Sequence, residues 1–145
     1  MAHMRTFRLL LLVIVALQAG CSSLLEGQRR HVAWLEGTWE VSGIESCAAL
    51  PRNVQFAPVR SKLYITYPHD STNSDGESFQ TKWVYRVLSA TEERIRVSLM
   101  GEDRLDPSGL PVTWDIRKLS PDQYCWRRSD WPFEECTVAR TRCGP

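Results

Sequence analysis

The stretch QTKWVYRVLSATEERIRVSLM, residues 80–100, decides the fold. Trp83, Tyr85 and Val87 alternate with Lys82, Val84 and Arg86. Ile95, Val97 and Leu99 alternate with Arg94, Arg96 and Ser98. A period of two marks a strand with one buried face and one wet face. The link Ala90-Thr91-Glu92-Glu93 is far too short for a parallel crossover, so the two runs are predicted to form an antiparallel hairpin.

The same period extends to both sides. Trp39 and Val41 share a face in residues 37–47, as do Leu63, Ile65 and Tyr67 in residues 60–67. Val112, Trp114 and Ile116 do so in residues 112–118, and residues 123–128 and 134–142 complete seven predicted strands. Residues 54–59 are a candidate eighth. Polar or Pro/Gly-bearing links separate them: PHDSTNSDG at 68–76, DPSG at 106–109, SPD at 120–122 and SDWP at 129–132. No helical pattern lies between the strands, which excludes a βαβ sheet. Residues 29–36 (RRHVAWLE) can form a short helix ended by Gly37. The expectation is an all-β fold, a small antiparallel up-and-down β-barrel of seven or eight strands with a short N-terminal helix. Closure would remove the exposed edges.

Residues 1–20 read as an address. Arg5 and Arg8 precede the nine-residue apolar run LLLLVIVAL (residues 9–17), and the small pair Ala19-Gly20 follows, which is the layout of a secretory signal. Nine helical residues span only about 14 Å, short of a bilayer core of about 30 Å. The segment Leu17-Gln18-Ala19-Gly20-Cys21 resembles a bacterial lipoprotein signal, or lipobox. That resemblance implies cleavage before Cys21, acylation of its sulfur and its new N-terminus, and membrane anchorage through those chains. Ser22 after the cysteine implies an outer-membrane lipoprotein facing the periplasm. The expected organisation is signal peptide 1–20, lipid-anchored tether 21–28 and barrel domain 29–145.

The whole chain has 145 residues and 18 Lys+Arg against 17 Asp+Glu, a net charge of +1. Losing residues 1–20 removes two arginines and no acid, which leaves 16 basic against 17 acidic side chains. Neither balance supplies the basic field of a nucleic-acid binder. Of five cysteines, setting Cys21 aside leaves an even number. Cys47, Cys125, Cys136 and Cys143 in an exported chain read as two disulfides, with three possible pairings. A four-residue loop at 129–132 would set Cys125 opposite Cys136 and Arg127 opposite Glu134. Directly opposed positions suit a bridge. Cys47 would then pair with Cys143, clasping the barrel seam where first and last strands run parallel. The spacings lack a CxxC motif, which argues against zinc or redox chemistry. No cofactor or metal is expected.

The run Leu35-Glu36-Gly37-Thr38-Trp39-Glu40-Val41 resembles the opening of lipocalin-like domains, a short helix followed by Gly-x-Trp entering the first strand. In that family an arginine near the chain end packs on this tryptophan. The resemblance therefore implies a barrel-closing motif of Gly37 and Trp39 with Arg140 or Arg142.

Catalysis finds little support. His69 beside Asp70 and Ser71 is local adjacency, not a triad. The carboxylate pairs at 92–93, 102–103 and 134–135 fall near turns, and Glu102, Asp103 and Asp106 lack the EF-hand pattern. A non-enzymatic binding module is expected. Its candidate pocket is Trp83, Tyr85, Val97 and Trp114 on the inner face, for a small apolar ligand or lipid. The alternative is a protein-binding inhibitor or immunity-type lipoprotein that neutralises a lysozyme-like envelope hydrolase. Its candidate surface is Tyr124, Trp126, Arg127, Arg128, Trp131 and Phe133, residue types enriched at binding hot spots.

Overall fold

The structure, a computed structural model, describes residues 26–43, 47–48, 51–67 and 82–144. Residues 26–32 are helical and run into the 3₁₀ turn Ala33–Leu35. Eight strands follow: β1 Gly37–Val41, β2 Arg52–Ala57, β3 Lys62–Thr66, β4 Lys82–Ala90, β5 Arg94–Leu99, β6 Trp114–Ser120, β7 Gln123–Arg128 and β8 Arg140–Arg142. Each pairs antiparallel with the next, and β8 returns antiparallel to β1, so the sheet is a closed up-and-down barrel of lipocalin-like form.

The strands form where apolar residues alternate. Ile65 faces Trp83 and Leu63 faces Tyr85 across β3–β4, and Val87 faces Val97 across β4–β5. Ile95 faces Ile116 across β5–β6. These inward residues stack in layers, and Leu63, Ile95, Val97 and Ile116 are fully buried. Bulges between Val87 and Ser89 and between Lys118 and Ser120 add local twist, which helps bend the sheet into a closed wall.

The eighth strand is Arg52–Ala57, two residues ahead of the 54–59 segment expected for it. Val54 and Phe56 point inward, and Pro58 ends the strand because it cannot donate to the ladder. An even strand count makes β1 and β8 antiparallel, which corrects the parallel seam expected from seven. The last strand is also shorter than residues 134–142. Thr137 Oγ1 accepts from Trp126 N–H (3.0 Å), so a side chain fills the ladder position before Arg140. The helix already includes Gln28, whose Oε1 accepts from Ser61 Oγ (3.1 Å) beside the start of β3.

The helix caps the end where β1 begins. Val32 and Leu35 are fully buried in the core. Trp39 Nε1–H donates to Leu35 O (2.9 Å). The Arg142 guanidinium lies 4.2 Å over the Trp39 ring and donates to Glu36 O (2.9 Å) and Trp34 O (2.5 Å). One cation thus satisfies two carbonyls and stacks on an indole. Gly37 makes room: its φ is +132°, and a Cβ there would stand 2.6 Å from Arg142 Nη1. Arg142, not Arg140, closes the barrel.

Both expected disulfides form. Cys125 and Cys136 lie with Cα atoms 5.9 Å apart, and Cys47 and Cys143 at 5.7 Å. The reasons differ from those expected. Cys136 lies outside any strand, and Cys47 lies in the β1–β2 connection, where its N–H donates to Glu40 Oε2 (2.8 Å).

Candidate functional site

The end opposite the helix opens into a cup of about 330 Å³. The alternation of β4, β6 and β7 puts Trp83, Tyr85, Trp114 and Trp126 on its wall, with Leu99 of β5 beside them. Tyr124, fully buried one turn of the pleat deeper, forms the floor and stands edge-on to Trp39 at 4.7 Å. Arg52, Tyr67 and Arg140 line the side formed by β2, β3 and β8, and Arg104 reaches the rim.

The rings form a chain. Trp34 touches Tyr124 at 6.5 Å, Tyr124 touches Trp126 at 6.4 Å, and Trp126 contacts Tyr85 at 5.2 Å and Trp114 at 6.3 Å. Trp114 then meets Trp131 at 5.8 Å on the rim. Most of these pairs are edge-to-face, the geometry favoured by the ring quadrupole. Burial raises both cup phenols. Tyr124 is pushed up to about 12 although the Arg140 and Arg52 charges act the other way, and Tyr85 is raised further. Both stay protonated hydroxyls at neutral pH.

Three of the four residues expected in the pocket line the cup. Val97 does not: it is fully buried in the layer below, packed against Val87 and Trp114 through its register partners. The proposed partner surface divides. Tyr124 and Trp126 share one parity on β7 and face inward: Tyr124 is fully buried, and Trp126 is partly buried on the cup wall rather than on the outer surface. Arg127 does not pair with Glu134. It bonds Asp115 Oδ2 (3.2 Å) and Pro132 O (3.0 Å), and also donates to Trp131 O, which ties the rim to the wall. Arg128 pairs with Asp130 at 2.8 Å. Trp131 leans on Trp114, and Phe133 is 61% exposed beneath the Arg117 guanidinium (4.5 Å).

The sequence reading missed Arg52, Tyr67, Leu99, Arg104 and Arg140 as cup residues. Strand parity could have placed Leu99, and Trp126 with it. The arginines carried no signal, because an inward arginine at a barrel mouth looks like any solvated one.

Other candidate chemistry is spent within the protein. Glu102 holds Arg104 at 2.6 Å, and the Arg104 bond keeps its carboxyl below the usual range. Asp106 Oδ1 accepts from Ser108 N, Ser108 Oγ and Leu110 N, which makes it a turn residue rather than a calcium ligand. Glu40, Cys47 and Cys143 converge within 4.8 Å, but both sulfurs are in the disulfide. Cys21 and His69 lie outside the described residues. Comparison of the chain with protein-family models, curated proteins and solved structures returned no match.

Proposed function

We propose that this protein is a non-catalytic binding module that holds a small apolar molecule in the cup at the barrel mouth. The cup itself carries the reading. Its volume of about 330 Å³ lies at the low end of small-molecule sites, and half of its lining residues are aromatic, with two aliphatic and four polar side chains beside them. The described wall residues include no His, Cys or carboxylate to serve as a nucleophile–base pair. At about 30 Å³ of liquid volume per water, the space equals roughly eleven waters. The ligand is therefore compact, about a dozen non-hydrogen atoms.

Calorimetric titration with naphthalene-2-carboxamide, a neutral ring probe, tests this. Saturable binding is expected, with a dissociation constant of about 0.01–1 mM for a ligand of that size. Leu99→Trp, which fills the cup from β5, should weaken it at least about tenfold while the unfolding midpoint holds. Equal heats for the two proteins would remove the cup as the site.

The proposal keeps the address read from the sequence: export by residues 1–20 and a lipid on Cys21, which would tether the cup to the periplasmic face of the outer membrane. Two or three acyl chains suffice for stable anchorage. Mass spectrometry of the mature protein should find Cys21 N-terminal and acylated. An unmodified Cys21 would withdraw the anchor.

A further inference from the structure

The helix crosses the capped end of the barrel with one face in and one face out. Val32 and Leu35 are buried, whereas Glu26, Arg29, Arg30 and Ala33 are exposed. Those four fall at i, i+3, i+4 and i+7, so they form one stripe turned away from the barrel. The β2–β3, β4–β5 and β6–β7 links lie at the same end, because each strand reverses the one before it. Two of them set an exposed apolar side chain next to a cation: Val59 (85% exposed) beside Arg60, and Leu119 (52% exposed) beside Lys118. Next to the third, Arg94 opposes Arg117 in register across β5–β6. Both line a groove of about 480 Å³ with Lys118, Leu119 and Phe133, and Glu93 is the acid on its wall.

We propose that the capped end seats the barrel on an anionic lipid surface, with Arg29, Arg30, Arg60 and Arg94 on headgroup phosphates and Val59 and Leu119 at the headgroup boundary, so that the cup opens away from the membrane. This rests on the Cys21 anchor for the choice of a membrane as the occupant, and adds which end meets it and which lipid charge it takes.

Charge selects this end. Over residues 26–36, 57–62, 90–94, 117–123 and 142–144, eight Lys and Arg stand against five Asp and Glu, in a chain that is close to neutral as a whole. Among the described residues, no carboxylate pairs with Arg29, Arg30, Arg60 or Arg94. Arg94 reaches Asp115 by charge alone, since Arg96 and Arg127 hold that carboxylate. Lys118 lies 5.6 Å over Trp34 and Arg117 lies 4.5 Å over Phe133. A ring face carries no net charge, so both still add to the field. Like charges directly opposed across two strands cost stability, and a phosphate beside Arg94 and Arg117 would relieve that repulsion. The mouth differs. It also exposes leucines, Leu105 and Leu110, but Asp103 and Asp106 stand among them and Glu102 answers Arg104.

Reach agrees with charge. The helix starts at the capped end, where Gln28 meets Ser61. The five residue steps from Cys21 to Glu26 span at most about 18 Å. An acylated Cys21 therefore keeps this end, and not the mouth, next to the lipid. Near an anionic surface each basic side chain adds about 1 kcal/mol, about a fivefold effect, so the exposed arginines together fix an orientation that a flexible tether does not.

The test floats the whole protein with two kinds of vesicle, phosphatidylcholine alone and phosphatidylcholine with about one third phosphatidylglycerol, and labels arginines with phenylglyoxal for mass spectrometry. Flotation with the neutral vesicles reads the anchor. On the anionic vesicles, labelling at Arg29, Arg30, Arg60 and Arg94 should fall about fivefold relative to the neutral ones, while Arg86, exposed on the outer wall of β4, should not change. Raised salt should restore the labelling in part. Arg60→Gln with Arg94→Gln should return Arg29 and Arg30 toward their labelling on neutral vesicles, and an unchanged titration of the cup with naphthalene-2-carboxamide shows that this variant has folded. Flotation with anionic vesicles only would withdraw the anchor and keep the seat. Flotation with both but equal labelling of the four arginines, or protection of Arg86 in their place, would overturn the seat and keep the anchor. Flotation with neither would overturn both.

Discussion

Asp115→Ala is expected to cost about 3–5 kcal/mol of stability, the range for stripping one partner from a buried charge cluster. Asp115 is 1% exposed on the outward face of β6. Its carboxylate takes Arg96 Nε at 2.8 Å and Nη2 at 3.0 Å, and Arg127 Nη1 at 3.2 Å. Without it, Arg127 is a buried cation whose other bonds go only to the backbone of residues 131 and 132. Arg96 is the smaller share of the cluster, because its side chain is 38% exposed and water can take over. Arg96→Ala should therefore cost about 1 kcal/mol or less. Urea unfolding measures both, with a shifted midpoint and unchanged slope as the expected signature. Similar costs for the two variants would contradict the burial argument.

The same cluster sets an acid limit. Burial would raise the Asp115 carboxyl, but the Arg96 hydrogen bond and charge, with Arg94 and Arg127, outweigh it and hold the group below its ordinary range. A depressed folded value means stability that is present above the unfolded value of about 3.9 and is lost as pH falls through the folded one. Asp115→Asn should therefore trail the parent protein at neutral pH. The gap should shrink on acidification below about pH 4.

The second large effect is the loss of Cys47–Cys143. Its two cysteines are 96 residues apart, against 11 for Cys125–Cys136. Chain-entropy arithmetic gives about 4.7 kcal/mol for the long loop and about 2.8 kcal/mol for the short one. The long bridge also stands beside the weakest seam. β8 has three residues, and only Gln123 and Tyr124 of β7 pair with it. Serine at both 47 and 143 should therefore lower the unfolding free energy about 2 kcal/mol more than serine at both 125 and 136. The reverse order, by equilibrium denaturation, would show that native-state packing around Cys125 outweighs loop length.

Much of the barrel was legible because its strands are half-buried. Ile95-Arg96-Val97 and Leu63-Tyr64-Ile65 declare their faces residue by residue, and the short polar links fix antiparallel order. Arg52–Ala57 was harder. It carries only two inward apolar side chains, Val54 and Phe56, between Pro51 and Pro58, so its pattern is too short to stand out. The 134–142 segment misled for another reason. Thr137 and Cys136 hold it to β7 by a side-chain hydrogen bond and a disulfide, and alternation cannot reveal such contacts. The cup was half legible. Its ring wall follows from strand parity, as Trp83 and Trp114 show. Its arginine side does not, because which charged residue faces a cavity depends on where the barrel closes. Tyr124 and Trp126 fall into the candidate partner surface because they sit among arginines in sequence. Their even spacing on β7 was the better guide.

The chain of rings from Trp34 through Tyr124, Trp126 and Trp114 to Trp131 also has an optical consequence. Its successive centroids lie 5.8 to 6.5 Å apart. At that spacing an excited indole hands its energy to a neighbouring indole faster than it emits, as along Trp126, Trp114 and Trp131, while Tyr124, whose excited state lies higher, gives energy to tryptophan and takes none back. Light absorbed by Tyr124 or Trp126 inside the cup can leave from Trp131 at the mouth, with its polarisation largely lost. The fluorescence of the molecule is therefore a collective property, and a single quencher seated in the cup would darken rings that it never touches.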